Sequence, residues 1–196
     1  MSSAPIESLR SEKCLITIGG LAGTGKGELG RGLAEYYKLP YTCGGDIFRS
    51  VAENAKITPA QFEQTAREIC SADKDVDAAI WERGQEYMRR GGGIIESRRS
   101  RAIFPHSTSV LLVCSDEKRF SRIMVRDHHV SLLAARDATL TREEAVDERF
   151  SSLYGGEILE TIFNPALWNF IINTSDFSKE QVLRMAIAQM SASHLP

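Results

Sequence analysis

The sequence has no uninterrupted apolar stretch near the ~20 residues that a bilayer-spanning helix needs, which sets a transmembrane reading aside. Its first residues, MSSAPIESLRSEK, lack the apolar core of a secretory leader, so the expectation is a cytoplasmic protein with residues 1–12 as a flexible arm. Neither sign of charge dominates: 24 Lys and Arg against 26 Asp and Glu give a formal net charge of −2. No bulk field then favours a nucleic-acid polymer or an anionic membrane as partner. Cysteine is sparse. Cys14, Cys43, Cys70 and Cys114 are far apart and form no C-x-x-C pair, which argues against a disulfide framework and for free, mostly buried thiols. The chain shows no internal repeat and no low-complexity segment, and its 196 residues suit one large domain.

What is present is an alternation of short apolar runs and longer stretches with helical spacing. The runs CLITI (14–18), PYT (40–42), GIIES (93–97), SVLLVCS (109–115) and WNFIINTS (168–175) are strand candidates. Residues 26–38 carry Leu29, Leu33, Ala34 and Tyr37 at helical spacing. CGGDIFRSVAENA is a helix with Asp46 as its expected N-cap, and TPAQFEQTAREI is another, with Thr58 as cap and Pro59 at the first helical position. DKDVDAAIWERGQEYMRR is stopped by Gly91, Gly92 and Gly93. DEKRFSRIMVRD, TREEAVDERFSSLY and SKEQVLRMAIAQMSA complete the helical set. Strands alternating with helices imply an α/β fold, a parallel sheet covered on both faces. Five strands and a single domain over residues 13–196 are expected.

Residues 16–37, ITIGGLAGTGKGELGRGLAEYY, join the first strand to the first helix. Gly19, Gly20, Gly23, Gly25 and Gly27 remove side chains where a backbone must wrap around phosphate oxygens, and a helix N-terminus favours an anion there. Lys26 adds a full positive charge. A phosphate-binding loop of this type continues after its lysine with Ser or Thr, whose hydroxyl holds Mg2+. Here Gly27 and Glu28 follow instead. Glu28 stays open between three readings: a ligand of Mg2+, a charge that repels the β-phosphate, and a solvated acid favoured by the helix dipole.

Three further segments carry candidate chemistry. In CGGDIFR, Gly44 and Gly45 permit a tight turn, and Arg49 stands one turn beyond Asp46, where it either forks onto a phosphate or faces solvent. In GGIIESRRS, Glu96 ends an apolar strand, a position beside the loop from which a carboxylate orients Mg2+-bound water. Arg98 is either a phosphate ligand or, with Arg99, part of a basic surface turn. In RFSRIMVRD, Arg119, Arg122 and Arg126 fall at i, i+3 and i+7 on one helical face, which is costly unless an anion or nearby acids join them.

The loop with Gly27 after its lysine, followed in order by GGDIFR, ESR and RIMVR, resembles the nucleoside monophosphate kinases. It is most similar to the SAGDIFR form of the archaeal-type cytidylate kinases. The similarity runs from Leu15 to about Met185 and includes NTS after the last strand and the D-x-x-V-D string ending at Asp77. It implies a three-layer P-loop kinase fold, with acceptor-binding helices at about 46–90 and a short lid at about 122–150. It also implies transfer of the γ-phosphoryl group of ATP, with Mg2+, to a nucleoside monophosphate, most of all CMP or dCMP. Monomer and homodimer both stay open.

On that resemblance Gly20, Gly23, Thr24, Gly25, Lys26, Gly27 and Glu28 hold ATP, with Arg122 against its base. Asp46, Arg49, Asp77 and Arg98 hold the acceptor. Lys26, Arg98, Arg126 and Arg149 serve the moving phosphoryl group, and Glu96 and Glu28 serve the metal. The chain departs from the pattern at Glu28 (Thr in the family), Cys43 (Ser) and Ser97 (Gly), and around Arg149. Gly44 stands where adenylate kinases carry Thr, which weakens an AMP reading. These departures motivate two further readings: a nucleotide-binding protein with weak or no turnover, and a kinase for another small acceptor with Glu28 or Glu96 as base. His128 and His129 point different ways on a helix and make a poor metal pair. Trp81 and Trp168 are expected in the core, and the acids of TREEAVDE in a capping box and on a solvated face.

Overall fold

Runs that are apolar on both sides of the strand force a sheet covered on both faces. The computed structural model describes residues 15–57, 71–155 and 164–192. Five strands form in chain order: β1 (Leu15–Gly19), β2 (Tyr41–Cys43), β3 (Gly93–Glu96), β4 (Thr108–Val113) and β5 (Phe170–Asn173). All pair in parallel, in the order β2-β3-β1-β4-β5. The helices are α1 (Lys26–Tyr37), α2 (Gly44–Asn54), α3 (Ser71–Arg89), α4 (Ser100–Ile103), α5 (Asp116–Arg126), α6 (Leu132–Tyr154) and α7 (Lys179–Ala192). β1 is central, with β3 on one side and β4 on the other. The strand order therefore reverses at the carboxyl end of β1, where open α/β sheets collect ligands.

Alternation along the strands sorts the core. Ile16, Ile18, Ile94, Val110, Leu112 and Ile172 are buried with Leu29, Leu33 and Tyr37 of α1 and with Val182, Ala186 and Met190 of α7. Leu15 and Ile95 pack with Ile47 of α2, with Ile80 and Tyr87 of α3, and with Phe104. Leu111 packs with Val146 and Phe150 of α6 and with Trp168. No helix among the described residues is long and apolar enough to cross a membrane.

Several expectations are corrected. Gly44 and Gly45 make no turn: α2 runs straight on from β2, Cys43 is its N-cap residue, and Asp46 falls in the first turn. What Gly44 supplies is room, because a Cβ there would come 2.9 Å from Cβ of Ser97. α6 starts at Leu132, capped by the Ser131 side chain accepting from Ala134 N–H, so Thr141 lies mid-helix and the expected capping box is absent. Trp168 is buried as expected, but Trp81 is 48 % exposed and stacks on Phe104 at 5.5 Å between ring centroids. Cys43 and Cys114 are free but only half-buried. Gly91 takes φ 96° after α3, and Gly92 N–H donates to Tyr87 O at 2.8 Å, which ends that helix where the glycines were expected to end it. The arm at 1–12, the helix headed by Thr58 and Pro59, and Cys14 and Cys70 lie outside the described residues.

Leu33 is fully buried between α1 and the sheet. Leu33→Ala is expected to cost about 2–5 kcal/mol of stability. Urea unfolding should show a lower midpoint with an unchanged slope.

Candidate functional site

The chain leaves β1 at Gly19 and wraps through residues 20–25 before α1 begins. Gly23 takes φ 80°, and a Cβ there would lie 2.7 Å from Arg119 O, so this turn admits no side chain. Gly20 is packed just as closely, under Leu112 O. Gly25, the N-cap residue of α1, has nothing within 4 Å of its Cβ position, so the loop is open on that side. Four successive carbonyls of the loop are taken up by side-chain donors. Leu21 O accepts from Lys26 Nζ and from Thr24 Oγ1, both at 2.8 Å. Ala22 O accepts from Arg119 Nε at 2.8 Å, Gly23 O from Arg122 Nη1 at 3.3 Å, and Thr24 O from Thr174 Oγ1 at 2.9 Å. Occupied carbonyls leave the N–H groups and the head of α1 as the electropositive side of the loop.

Lys26 lies deep in this loop. Burial pushes its ammonium down to about 8, against the pull of Glu96, and Arg98 nearby pushes the same way as burial. Glu96 stands 3.9 Å from Nζ. The strand register puts it there: Glu96 pairs with Ile18 of β1 on one side and Cys43 of β2 on the other. Tyr41 donates to its other oxygen at 2.8 Å. Burial first, and then the Glu96 charge, pushes the Tyr41 hydroxyl far above its ordinary value. The Cβ position of Gly27 lies 3.6 Å from the Glu96 carboxylate, an ordinary contact distance, so Gly27 borders that carboxylate without being required by it.

Across the carboxyl edge of the sheet, α2 carries Asp46 and Arg49, which pair with each other and are both well exposed. The Cys43 thiol also donates to Asp46. That bond and Arg49 hold the Asp46 carboxyl below its usual range, while burial and Asp46 push the thiol up. Between α2 and α3 runs a groove of about 760 Å³, lined in part by Tyr41, Asp46, Ile47, Trp81 and Glu86.

The expected arginine face breaks into three separate roles. Arg119 is buried and forks onto Glu143 of α6 at 2.6 and 2.8 Å while also meeting Asp116. Glu143, expected on a solvated face, is therefore a buried partner. Arg122 bridges the loop to Thr174, donating to its carbonyl at 2.7 Å. Arg126 is 57 % exposed and pairs with Asp127. Arg149 is buried and paired with Asp73 at 2.5 Å, and its Nη1 has no partner. Asp77 accepts from Arg99 Nε and from Tyr154 OH, each at 2.7 Å, and Arg99 lies 3.3 Å over the Tyr154 ring. Burial raises the Asp77 carboxyl against both partners. Arg99 is thus a packed tie rather than a surface turn. Glu28 is half-exposed and held by Arg31 at 2.5 Å, with Lys179 at 3.9 Å.

The loop, Lys26, Glu96, Arg98 and Arg122 gather at one place; Asp46 and Arg49 border it; Arg126, Arg149, Asp77 and Glu28 are held in ion pairs of their own. The reading of the sequence missed Glu143, Tyr41 and the Arg99–Tyr154 stack. Nothing local marks Glu143, whose partner is 24 residues away. Among the described residues no group of three or more His, Cys, Asp or Glu is placed to hold a metal ion. The residues nevertheless fit a Mg2+-polyphosphate. A buried ammonium with a depressed pKa lies within the loop, and one carboxylate, Glu96, stands beside it; Mg2+ commonly takes one or two carboxylates together with phosphate oxygens and water.

Residues 15–176 match the model of the cytidylate kinase-like family. Curated relatives include the cytidylate kinases of Methanothermobacter thermautotrophicus, 28 % identical over 85 % of this chain and 98 % of that protein, and of Pyrococcus horikoshii, 29 % identical over 94 % and 91 %. Among solved structures, a shikimate kinase from Acinetobacter baumannii aligns with a TM-score of 0.61 at 14 % identity, over 98 % of this chain and all of that one. A gluconokinase from Sinorhizobium meliloti aligns at 0.58 and 18 %, over 92 % and 93 %. At such identities these structures speak for the fold alone.

Lys26 holds its proton less tightly in the folded chain, at about 8, than its ordinary value of 10.5. Between those values the unfolded chain binds more protons, so this residue makes stability rise with pH. Without nucleotide, Lys26→Met is expected to be more stable than the wild type at neutral pH, with an advantage that shrinks toward pH 10. Urea unfolding across that range checks this; a constant gap would contradict it.

Proposed function

The chain belongs to the cytidylate kinase-like family, and from that premise we propose that it transfers the γ-phosphoryl group of ATP to a nucleoside monophosphate, with CMP or dCMP as the acceptor. The observation that carries the reading is the convergence of Lys26, Glu96 and Arg98 at the carboxyl end of β1, with Arg49 across the edge of the same sheet.

Phosphoryl transfer between nucleotides asks for little covalent help. It asks for two anions brought in line, their charge offset and water kept away. In this reading the residues of the loop (Gly20, Gly23, Thr24, Gly25 and Gly27) shape the bed for the ATP phosphates, and Lys26 donates to them in place of Leu21 O. Arg122, already against Gly23 O, lies along the ATP side. Glu96 would hold Mg2+ through a water ligand, and the ion would supply positive charge against the phosphates. Glu28, engaged by Arg31 and Lys179, favours α1 through the helix dipole and leaves the metal to Glu96. Arg49 and Arg98 hold the acceptor phosphate, and Asp46 fixes Arg49. Asp77 meets the acceptor by exchanging Arg99 or Tyr154. Arg126 and Arg149 reach the phosphoryl group by exchanging Asp127 and Asp73 for phosphate oxygens. No general base is needed, because the attacking phosphate oxygen is already ionised at neutral pH.

ADP production with ATP against CMP, dCMP, UMP and AMP tests the reading, with turnover highest for CMP or dCMP. Arg49→Ala is expected to raise the acceptor KM about 10–100-fold, the worth of a charge-assisted contact, and to leave the ATP KM unchanged. Equal loss of both affinities would count against the assignment.

A further inference from the structure

Ser97 lies between Glu96 and Arg98, immediately after β3. Only 8 % of it is exposed, and its hydroxyl oxygen is buried with no hydrogen-bond partner. Its backbone is fully used: the N–H donates to Ile18 O, and the carbonyl accepts from Ser100 Oγ. A buried hydroxyl left unmade costs stability and is rare in folded proteins. Space-filling does not explain it, since alanine would fill nearly the same volume without the cost.

The side chain lies against the amino end of α2. A Cβ on Gly44 would come 2.9 Å from Ser97 Cβ, so glycine at 44 and the hydroxymethyl group at 97 are matched in size. α2 is an 11-residue helix, and its leading N–H groups favour an anion. The nearby cations point the same way: Arg98 is the next residue and bears on Lys26, and Arg49 stands on the first turns of α2. Two acids stand alongside: Glu96 is turned to Tyr41 and Lys26, and Asp46, in the first turn of α2, is engaged by Arg49 and the Cys43 thiol.

We propose that Ser97 is a further acceptor-binding residue whose hydroxyl donates to a phosphate oxygen of the nucleoside monophosphate at the head of α2. This rests on the kinase reading above and deepens it. Gly44 packs against the Ser97 side chain at its Cβ, and a small outward shift of the first turn of α2 opens space beside the hydroxyl. The phosphate then takes the hydrogen bond that the packed helix leaves unmade, which couples acceptor entry to the position of α2. The absence of a side chain at Gly44 lets the anion approach the backbone there.

Ser97→Ala removes the oxygen and keeps the Cβ. Kinetics with ATP against CMP, dCMP and UMP are read beside thermal unfolding without nucleotide. The expected result is an acceptor KM raised about tenfold, by one common factor for every acceptor the wild type uses, with the ATP KM unchanged and the Tm held or raised. A common factor reports the phosphate, which all acceptors share. An unchanged acceptor KM overturns the proposal, and so does a loss that differs from base to base. So does a lowered Tm, which would give the hydroxyl a structural role. If the wild type turns over none of these acceptors, the kinase reading fails, and calorimetric titration of CMP into both proteins decides Ser97 separately. Binding weakened about tenfold in Ser97→Ala supports the contact, and equal binding overturns it.

Discussion

The ammonium of Lys26 is buried at the head of α1 with a carbonyl at 2.8 Å and a single carboxylate at 3.9 Å. A charge removed from water and only partly compensated is costly, and the depressed pKa expresses that cost. Much of the surrounding arrangement follows from holding this charge in place. The close packing at Gly20 and Gly23 shapes the loop that holds it, and the strand register carries Glu96 to the end of β1 beside it. An anion placed there would supply the missing compensation.

The loop is kept in shape from outside. Arg119 and Arg122 on α5, with Thr174 after β5, take up the carbonyls that face away from the open side. Arg119 is itself fixed by the bidentate contact to Glu143, so the loop's geometry is referred through α5 to α6. A buried pair of this kind stabilises little in net terms, but removing one partner leaves an uncompensated charge, typically about 3–5 kcal/mol. Its service is to fix a backbone conformation rather than to add stability.

Where chemistry is encoded by neighbours in sequence, it was legible. The glycine loop, Lys26 and the strand ending in Glu96 are local patterns, and the alternation of runs gave the parallel sheet. Features set by distant partners were not legible. Arg119 and Glu143 read as solvated charges because their burial comes from the packing of α5 on α6. Tyr41 carried no signal because its hydroxyl finds Glu96 only once β2 pairs with β3. Gly44 and Gly45 read as a turn on composition; the close approach of Ser97 is what makes glycine necessary there, and the helix simply absorbs both. α6 was read short because the residues after Ser131 lack a clear amphipathic stripe.

α3 and α6 are joined at two levels, Asp73 to Arg149 and Asp77 to Tyr154, with Arg99 wedged over the tyrosine ring. Asp73 and Asp77 are spaced by about one helical turn, so the two ties act like successive teeth of a gear rack. Rotation of α3 must either carry α6 with it or tear a buried ion pair. Since α6 also holds Arg119 through Glu143, a shift of α3 would bear on the side chain that occupies a carbonyl of the glycine loop.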